Sequence, residues 1–236
     1  MEDMKLKLVS INIEGRKHLK TVGDFIAQES PDVVCLMEVI EEDIEIVLHD
    51  YPYRIFKPNF LDEDGHKYGV AIGSKISWES EDSTYCDGRE DSYLTYGGQE
   101  ITHRPAVIAV VVDGYQIVSL HFTWTPDGKM SLEQERDLNR LFEWMGERQG
   151  VICGDFNIPR GNELYQKLLT KYRDNVPVEV ESTLDPILHY ANHKIAGSLK
   201  LVVDYMWSTP EYRVENVRVV SGVSDHCAVV CSVEKT

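Results

Sequence analysis

The feature that most constrains the fold is a series of short apolar runs separated by polar and turn-forming residues. The runs cover residues 6–11, 33–37, 70–72, 106–112, 116–120, 151–153, 201–207 and 227–233. Their lengths suit buried strands, and none approaches the roughly 20 apolar residues of a membrane-spanning helix. Asp113 and Gly114 stand between two runs as a two-residue hairpin signal. The chain is therefore predicted to be rich in β-strands, with at least one antiparallel pair.

Three further segments have apolar residues at the spacing of a helix that buries one face. Their apolar positions are Leu19, Val22, Phe25 and Ile26, then Leu138, Leu141, Phe142 and Met145, then Leu164, Leu168 and Leu169. Pro31 ends the first segment, and Ser131 with Gln134 resembles a capping box at the start of the second. Strands outnumber helices and include a hairpin. This pattern favours an α/β fold of two mixed β-sheets packed face to face with helices outside.

Composition narrows the setting and the partners of the protein. Asp and Glu total 40 against 24 Lys and Arg, and the net charge of −16 disfavours tight binding to duplex DNA. No secretory signal, repeat or linker is visible, so we expect one domain over residues 1–236. No CxxC pair occurs among the cysteines, which are Cys35, Cys86, Cys153, Cys227 and Cys231. We expect a cytoplasmic monomer without stable membrane insertion, and no protein partner is indicated.

Polar residues that suit catalysis stand at the ends of the apolar runs. They are Asn12, Glu14, Glu38, His121, Asp155, Asn157, Asp204, Asp225 and His226. Each has a plainer interpretation when taken alone, such as a turn, a solvated helix start or a satisfied histidine. Asp204 is the hardest to explain away, because an unpaired carboxylate inside an apolar strand is destabilising. Since strand ends on one sheet edge can converge, these segments predict a single polar site.

The order and spacing of these segments resemble a known family. The motifs are SIN, CLMEV, SLHFTW, GDFN, VVDYMW and SDHCAV, from about Leu8 to the C-terminus. They resemble the motif set of the endonuclease/exonuclease/phosphatase superfamily, which includes deoxyribonucleases, apurinic endonucleases, sphingomyelinases and phosphatases. The resemblance implies a four-layer α/β sandwich with a Mg²⁺ or Mn²⁺ site at the open edge of two sheets. It also implies a metal-dependent phosphoester hydrolase that uses a water nucleophile.

The same resemblance implies a role for each residue. Residues implied at the metal are Glu38, Asn12, Asp225 and, with a longer side chain than the family's aspartate, Glu14. Residues implied in catalysis are His226, Asp204, Asp155, Asn157 and His121, and the roles of Asp155 and His121 are open to exchange. Residues implied in substrate binding are Asn12, Asn157 and Arg104. Arg104 is equally well explained as a surface charge at the start of a strand.

The substrate is left open by the family resemblance. We favour a phosphodiesterase or phosphatase acting on a small or single-stranded phosphoester. A nuclease or DNA-repair end-processing enzyme is the alternative, kept open by Arg16, Lys17, Lys20, Lys67, Arg104 and Arg160. A sphingomyelinase-like lipid phosphodiesterase and a non-catalytic binding protein are further alternatives, and the intact polar set argues against the latter. Loops predicted at 60–67 and 93–98 are expected to line the pocket. The aromatic residues Tyr93, Tyr96, Phe122 and Trp124 either stack on a base or ring of the substrate or pack at the rim.

Overall fold

The computed structural model describes residues 5–87, 104–190 and 199–236, together with the backbone of residues 94–95. Its strands, numbered in chain order, form two mixed sheets. The seven-stranded sheet has the order β12-β13-β1-β2-β4-β3-β6, with β1 (Leu6–Asn12), β2 (Val33–Ile40), β3 (Tyr53–Leu61), β4 (Lys67–Ser74), β6 (Leu94–Thr95), β12 (Tyr212–Val220) and β13 (Ala228–Lys235). The six-stranded sheet has the order β10-β11-β9-β8-β7-β5, with β5 (Trp78–Tyr85), β7 (Ala106–Val112), β8 (Tyr115–His121), β9 (Val151–Asp155), β10 (Arg173–Asp174) and β11 (Asp204–Ser208).

Alternation of apolar residues along the strands builds the layers. In β1, Leu6 and Leu8 join the core between the sheets, whereas Val9 and Ile11 join a second core on the outer face. The helices are α1 (Leu19–Glu29), α2 (Ile44–Val47), α3 (Leu132–Met145) and α4 (Glu163–Leu169). Buried apolar residues of α1 and α2 belong to the second core, on the outer face of the seven-stranded sheet. Buried apolar residues of α3 and α4 belong to the same core as Leu6 and Leu8. The predicted α/β sandwich is confirmed.

The start of α3 links the fold to two loops. Ser131 accepts a hydrogen bond from the backbone N–H of Gln134 at 3.0 Å, as the capping pattern predicts. The reciprocal bond differs, because the buried Gln134 amide donates to the carbonyls of Thr123 at 2.8 Å and Asn157 at 3.0 Å. Gln134 therefore joins the loop after β8 to the loop after β9, and these loops flank the polar edge of the sheet.

Several elements differ from the predictions. β3, β5 and β12 were not expected, because most of their side chains are exposed or half-buried and give no apolar run. The segment 60–67 was expected to be a loop but includes the end of β3 and the start of β4, with Phe60 stacked on Tyr68 at a ring-centroid distance of 4.8 Å. Of the second expected loop, 93–98, only the backbone at 94–95 is described, so Tyr93 and Tyr96 lie outside the described residues.

All five cysteines are buried free thiols, and burial raises the pKa of the Cys227 thiol to about 12. They act as small core residues, as the positions of Cys35, Cys153, Cys227 and Cys231 in apolar runs predict, whereas no apolar run surrounds Cys86. In the described ranges, no helix combines the length and the apolar character that crossing a bilayer requires.

Candidate active site

Strand register brings three of the predicted residues into one row. His121 at the end of β8 lies opposite Asp155 at the end of β9, which in turn lies opposite Asp204 at the start of β11. In the other sheet, Asn12 ends β1 beside Met37 of β2. Because β13 runs antiparallel to β1, the segment just before β13 reaches the same edge. The predicted convergence of strand ends is therefore observed in the structure.

The carboxylate of Asp155 lies at the centre of this edge. Its Oδ2 accepts a hydrogen bond from Asn12 Nδ2 at 3.2 Å and faces Nε2 of His121 at 3.7 Å and Nε2 of His226 at 3.9 Å. Its Oδ1 accepts the backbone N–H of Asn157 at 2.9 Å. Burial, followed by the charge of Asp204, raises the pKa of Asp155 to about 7. A carboxyl group with this pKa can exchange a proton near neutral pH.

His226 and Asp204 form a buried pair. His226 Nδ1 lies 2.8 Å from Asp204 Oδ2, so Nε2 is the nitrogen that faces Asp155. Burial lowers the pKa of His226, but the charges of Asp204 and Asp155 outweigh that effect and raise it well above its ordinary value. Asp204 Oδ1 has no hydrogen-bond partner among the described residues. The pair therefore holds the imidazole ring in place and favours its cationic form.

A bulge in β2 directs Glu38 toward the edge. The pairing of β2 with β4 shifts between Leu36 and Val39, and Glu38 has a positive φ of 55°. Glu38 Oε1 accepts a hydrogen bond from Asn12 Nδ2 at 3.0 Å, while Asn12 Oδ1 accepts the backbone N–H of Glu14 at 3.2 Å. In this arrangement the amide N–H groups of Asn12 donate to Glu38 and Asp155, so Asn12 holds these two carboxylates in position.

The remaining carboxylates provide oxygen ligands that fit a hard divalent cation. Burial raises the pKa of both Glu38 and Asp225, and the charge of Glu14 adds to the effect on each. Buried oxygen ligands that destabilise one another's charge are what Mg²⁺ or Mn²⁺ would neutralise. In the described chain, the two groups with ligand atoms within 4.8 Å of one another are Asp155–Asp204–His226 and His189–Asp225–His226. Glu38 and Glu14 belong to neither, so their metal role stays a prediction.

Asn157 and two aromatic residues occupy the rim. Asn157 has a positive φ of 52°, and its Nδ2 donates to the carbonyl of Phe122 at 3.1 Å. Phe122 is fully buried and lies 6.4 Å from the ring of Phe156, so it is core packing and not a stacking platform. Trp124 is 41% exposed and three residues beyond His121, so it remains a candidate surface for a flat substrate group.

The basic residues considered for a nucleic-acid surface all have acidic partners. The pairs are Arg16–Asp43, Lys17–Glu14, Lys20–Asp24, Lys67–Glu41, Arg104–Asp87 and Arg160–Asp174. Each pair removes much of the positive field that a phosphate backbone would need. These basic residues therefore form no strongly positive surface that could attract a polyanion to a protein of net charge −16.

Sequence reasoning missed His189, which lies against His226. Their ring centroids are 5.8 Å apart with an interplanar angle of 69°, and His189 is 8% exposed. Burial, followed by the neighbouring His226, lowers the pKa of His189. No apolar run precedes His189, so the signal that located the other residues is absent there.

Arg104 is the predicted site residue that the described contacts do not join to this cluster. Its guanidinium is 1% exposed, lies 3.6 Å from the ring centroid of Tyr85, and donates to Asp87 at 3.0 and 3.2 Å. We expect Arg104→Met to lower the free energy of unfolding by about 3 kcal/mol, because it leaves a buried carboxylate with a lost partner. Urea denaturation measures this change.

A matched control is Arg213→Met, which removes a half-exposed arginine paired with Glu234 and should change stability by about 0.5 kcal/mol or less. The KM of the Arg104 variant tests its predicted role in substrate binding. An unchanged KM identifies a structural residue, whereas a large rise in KM with unchanged stability would support phosphate binding.

Asp155 should make the metal-free protein less stable as pH rises. Its pKa is about 7 in the folded chain against 3.8 as the ordinary value, so the folded state retains the proton over this window. Stability therefore falls from about pH 4 to about pH 7 relative to Asp155→Asn, which cannot ionise. We expect the difference in Tm between variant and wild type to shift by several degrees in favour of the variant. Thermal melts in EDTA measure it, and a pH-independent difference would contradict the assignment.

Comparison with known proteins agrees with this geometry. The sequence profile described as the Endonuclease/Exonuclease/phosphatase family matches residues 9–226. No curated protein sequence matches the chain significantly.

Solved structures share the fold at low identity. A mannosyl-6-phosphatase of Bacteroides thetaiotaomicron has 11% identity and a TM-score of 0.70, covering 97% of this chain and 99% of that chain. The catalytic domain of human Nocturnin with bound sulfate has 16% identity and a TM-score of 0.68, covering 99% and 96%. TDP2 of D. rerio in complex with a single-strand DNA product has 15% identity and a TM-score of 0.70, covering 99% and 100%. The family profile matches most of this chain, residues 9–226. The chain therefore belongs to the endonuclease/exonuclease/phosphatase family, whose members are hydrolases that act on phosphoesters.

Proposed function

We propose that this protein is a divalent-metal-dependent phosphoester hydrolase that acts on a small or single-stranded phosphoester with water as the nucleophile. The observation that carries the proposal is the position of Asp155 Oδ2, which faces Asn12, His121 and His226 within 3.9 Å. Hydrolysis of a phosphoester requires a proton acceptor for water and donors for the phosphoryl oxygens. This edge supplies both kinds of group from one buried cluster.

Asp155 is the proposed proton acceptor. Its pKa of about 7 allows it to take a proton from a water molecule near neutral pH. His226 carries the opposite role, since its raised pKa favours a cation that can donate from Nε2 to a phosphoryl oxygen. Asp204 orients that ring by holding Nδ1 at 2.8 Å. The roles of base and donor are thus assigned to neighbouring groups with different environments.

The other predicted residues surround this pair. Asn12 holds Glu38 and Asp155 through its amide N–H groups and is proposed to exchange one of these bonds for a phosphoryl oxygen of the substrate. Asn157 is proposed to orient the phosphate from the loop after β9. His121 is proposed near the leaving group, since its Nε2 lies 3.8 Å from Glu38 and 3.7 Å from Asp155. Glu38 and Asp225, with Glu14 beside them, are the proposed metal-holding carboxylates. A bound Mg²⁺ or Mn²⁺ would offset negative charge that develops on the phosphoryl group.

Charge supports a small or single-stranded substrate. The net charge is −16, and the basic residues near the site are paired with acids. A long duplex would bring many phosphates close to this surface without cationic contacts, whereas a small ester brings one or two. The metal would then supply most of the local positive charge.

The test is hydrolysis of bis(p-nitrophenyl) phosphate and p-nitrophenyl phosphate in Mg²⁺, in Mn²⁺ and in EDTA. We expect turnover with metal, none in EDTA, and loss of turnover in Glu38→Ala with metal present. The relative rates on the two esters give the preference for diester or monoester. Turnover that persists in EDTA, or in Glu38→Ala at the wild-type rate, would refute the metal-dependent mechanism.

A nuclease acting on single strands is the second candidate, favoured by the exposed Trp124, three residues after His121 in the chain. An aromatic ring at this position can stack on an unpaired base, which gives about 1–3 kcal/mol per base. If this candidate is correct, Trp124→Ala will slow cleavage of a short oligonucleotide but leave bis(p-nitrophenyl) phosphate turnover unchanged. Equal rates for variant and wild type on the oligonucleotide would exclude this stacking role.

A further inference from the structure

Residues 183–190, here called the strap, lie across the segment that carries the site histidine. The backbone N–H of Asp185 donates to the carbonyl of Asp225 at 2.7 Å, and the N–H of Cys227 donates to the carbonyl of Thr183 at 2.7 Å. Two short backbone bonds on either side of position 226 therefore attach the strap. The strap is thus a structural part of this edge.

Asp185 determines the path of the strap beyond this attachment. Its Oδ1 accepts the backbone N–H groups of Ile187 and Leu188, each at 2.8 Å, and its Oδ2 accepts the N–H of Gly222 at 2.6 Å. Its carbonyl accepts the N–H of His189 at 3.3 Å. Asp185 is 1% exposed, so these bonds are shielded from water. The position of His189 therefore follows from a bonded turn.

This turn places the ring of His189 beside the proposed catalytic groups. Its centroid is 5.8 Å from that of His226, and the rings meet edge to face. One ring nitrogen of each histidine and a carboxylate oxygen of Asp225 lie within 4.8 Å of one another. A ring nitrogen of His189 thus lies within 4.8 Å of a ring nitrogen of His226 and of the Asp225 carboxylate, at the edge that holds the proposed catalytic groups.

We propose that His189 is a substrate-binding residue that donates a hydrogen bond to a phosphoryl oxygen of the bound phosphoester. The inference deepens the proposed hydrolase function and rests on it. An anionic substrate entering an edge rich in carboxylates requires donors, and the nearby Lys17 is bonded to Glu14. His189 and His226 carry ring N–H donors at this edge, whereas the amide N–H groups of Asn12 donate to Glu38 and Asp155. A hydrogen bond to a charged oxygen is stronger than a neutral one, so one donor has a measurable effect.

A metal-ligand role for His189 is the main alternative. Mg²⁺ and Mn²⁺ prefer oxygen ligands, and this edge offers several carboxylates. The possible ligand group that includes His189 consists of His189, Asp225 and His226. It would use a nitrogen of His226, whose Nδ1 is held by Asp204 at 2.8 Å. The phosphate-binding role therefore agrees better with the ring nitrogens of His189 and His226. The two roles predict different effects on metal affinity when the imidazole of His189 is removed.

The experiment compares wild type, His189→Ala and His189→Gln by titrating inorganic phosphate in saturating Mg²⁺ with isothermal calorimetry. We expect phosphate affinity to fall about tenfold in His189→Ala, as loss of one charge-assisted hydrogen bond predicts. His189→Gln retains a side-chain N–H and should recover part of the loss. KM for bis(p-nitrophenyl) phosphate should rise by a similar factor, while Mg²⁺ affinity stays unchanged. His49→Ala, at an exposed histidine paired with Asp50, is the matched control.

The outcomes separate this inference from the proposed function. Equal phosphate affinity in wild type and His189→Ala would overturn the inference, as would failure of the wild type to bind phosphate. A selective loss of Mg²⁺ affinity would overturn it in favour of a metal ligand. If phosphate binding depends on His189 but no phosphoester is hydrolysed, the binding role stands and the proposed hydrolase function fails.

Discussion

Replacing His226 with alanine is expected to lower kcat for a phosphodiester by about 10³-fold, the scale of losing a proton-transfer or charge-stabilising group. The change removes Nε2, which faces Asp155 at 3.9 Å, and leaves Asp204 without the ring that it orients. The unpaired Asp204 will also lower stability. His226→Asn separates these effects, because its amide can retain the bond to Asp204 while the Nε2 position is lost.

Steady-state kinetics with Mg²⁺, together with thermal melts, measure both variants. We expect His226→Asn to melt closer to wild type than His226→Ala and to be about equally inactive. His49→Ala, at an exposed histidine, should keep wild-type turnover. A folded His226→Asn protein that turned over near the wild-type rate would show that the assigned site is wrong.

Gly154→Ala is expected to destabilise the fold by about 4 kcal/mol or more, or to prevent folding. Gly154 has a φ of +134°, which residues with a Cβ rarely adopt. A Cβ at this position would lie 2.0 Å from the carbonyl oxygen of Leu120 on the adjacent strand. Since that contact is with backbone, it is relieved only by separating β8 from β9. Asp155 directly follows, so the site would be displaced as well.

The control for this prediction is Gly23→Ala in α1, where the new Cβ would meet no atom within 4 Å beyond its chain neighbours and the adjoining helix backbone. That substitution should stabilise the protein by up to about 1 kcal/mol, because alanine favours a helix more than glycine. Chemical denaturation of both variants should thus give changes of opposite sign. A Gly154→Ala protein with wild-type stability would mean that the strand pairing at Leu120 is different from that described.

Much of the fold was predictable because buried strands and helices leave strong periodic patterns. The run before Asp155 and the apolar spacing after Ser131 predicted β9 and α3 close to their observed bounds. β12 was missed because its side chains are mostly exposed or half-buried. A strand of this kind is stabilised by pairing with neighbours, and a single sequence carries no record of that pairing.

The sequence could not decide the roles of side chains whose contacts are with residues distant in the chain. The sequence leaves Arg104 open between a phosphate contact and a surface charge, whereas in the structure Asp87 and Tyr85 enclose it. Phe122 was a candidate for stacking, yet its ring is fully buried beside Phe156. Exposure is a property of the packed chain, so residue type alone could not distinguish these roles.

The sequence by itself determined which residue types stand at the ends of the apolar runs, and it predicted that Asn12, His121 and Asp155 could converge at one edge of the sheets. Local patterning suffices for this because the alternation of side chains is built into every strand. Only the tertiary structure decided that Asp155 lies between Asn12 and the two histidines, and that His189 joins His226. Those distances depend on how two sheets pack and how a strap crosses them, and contacts between distant segments arise from that packing.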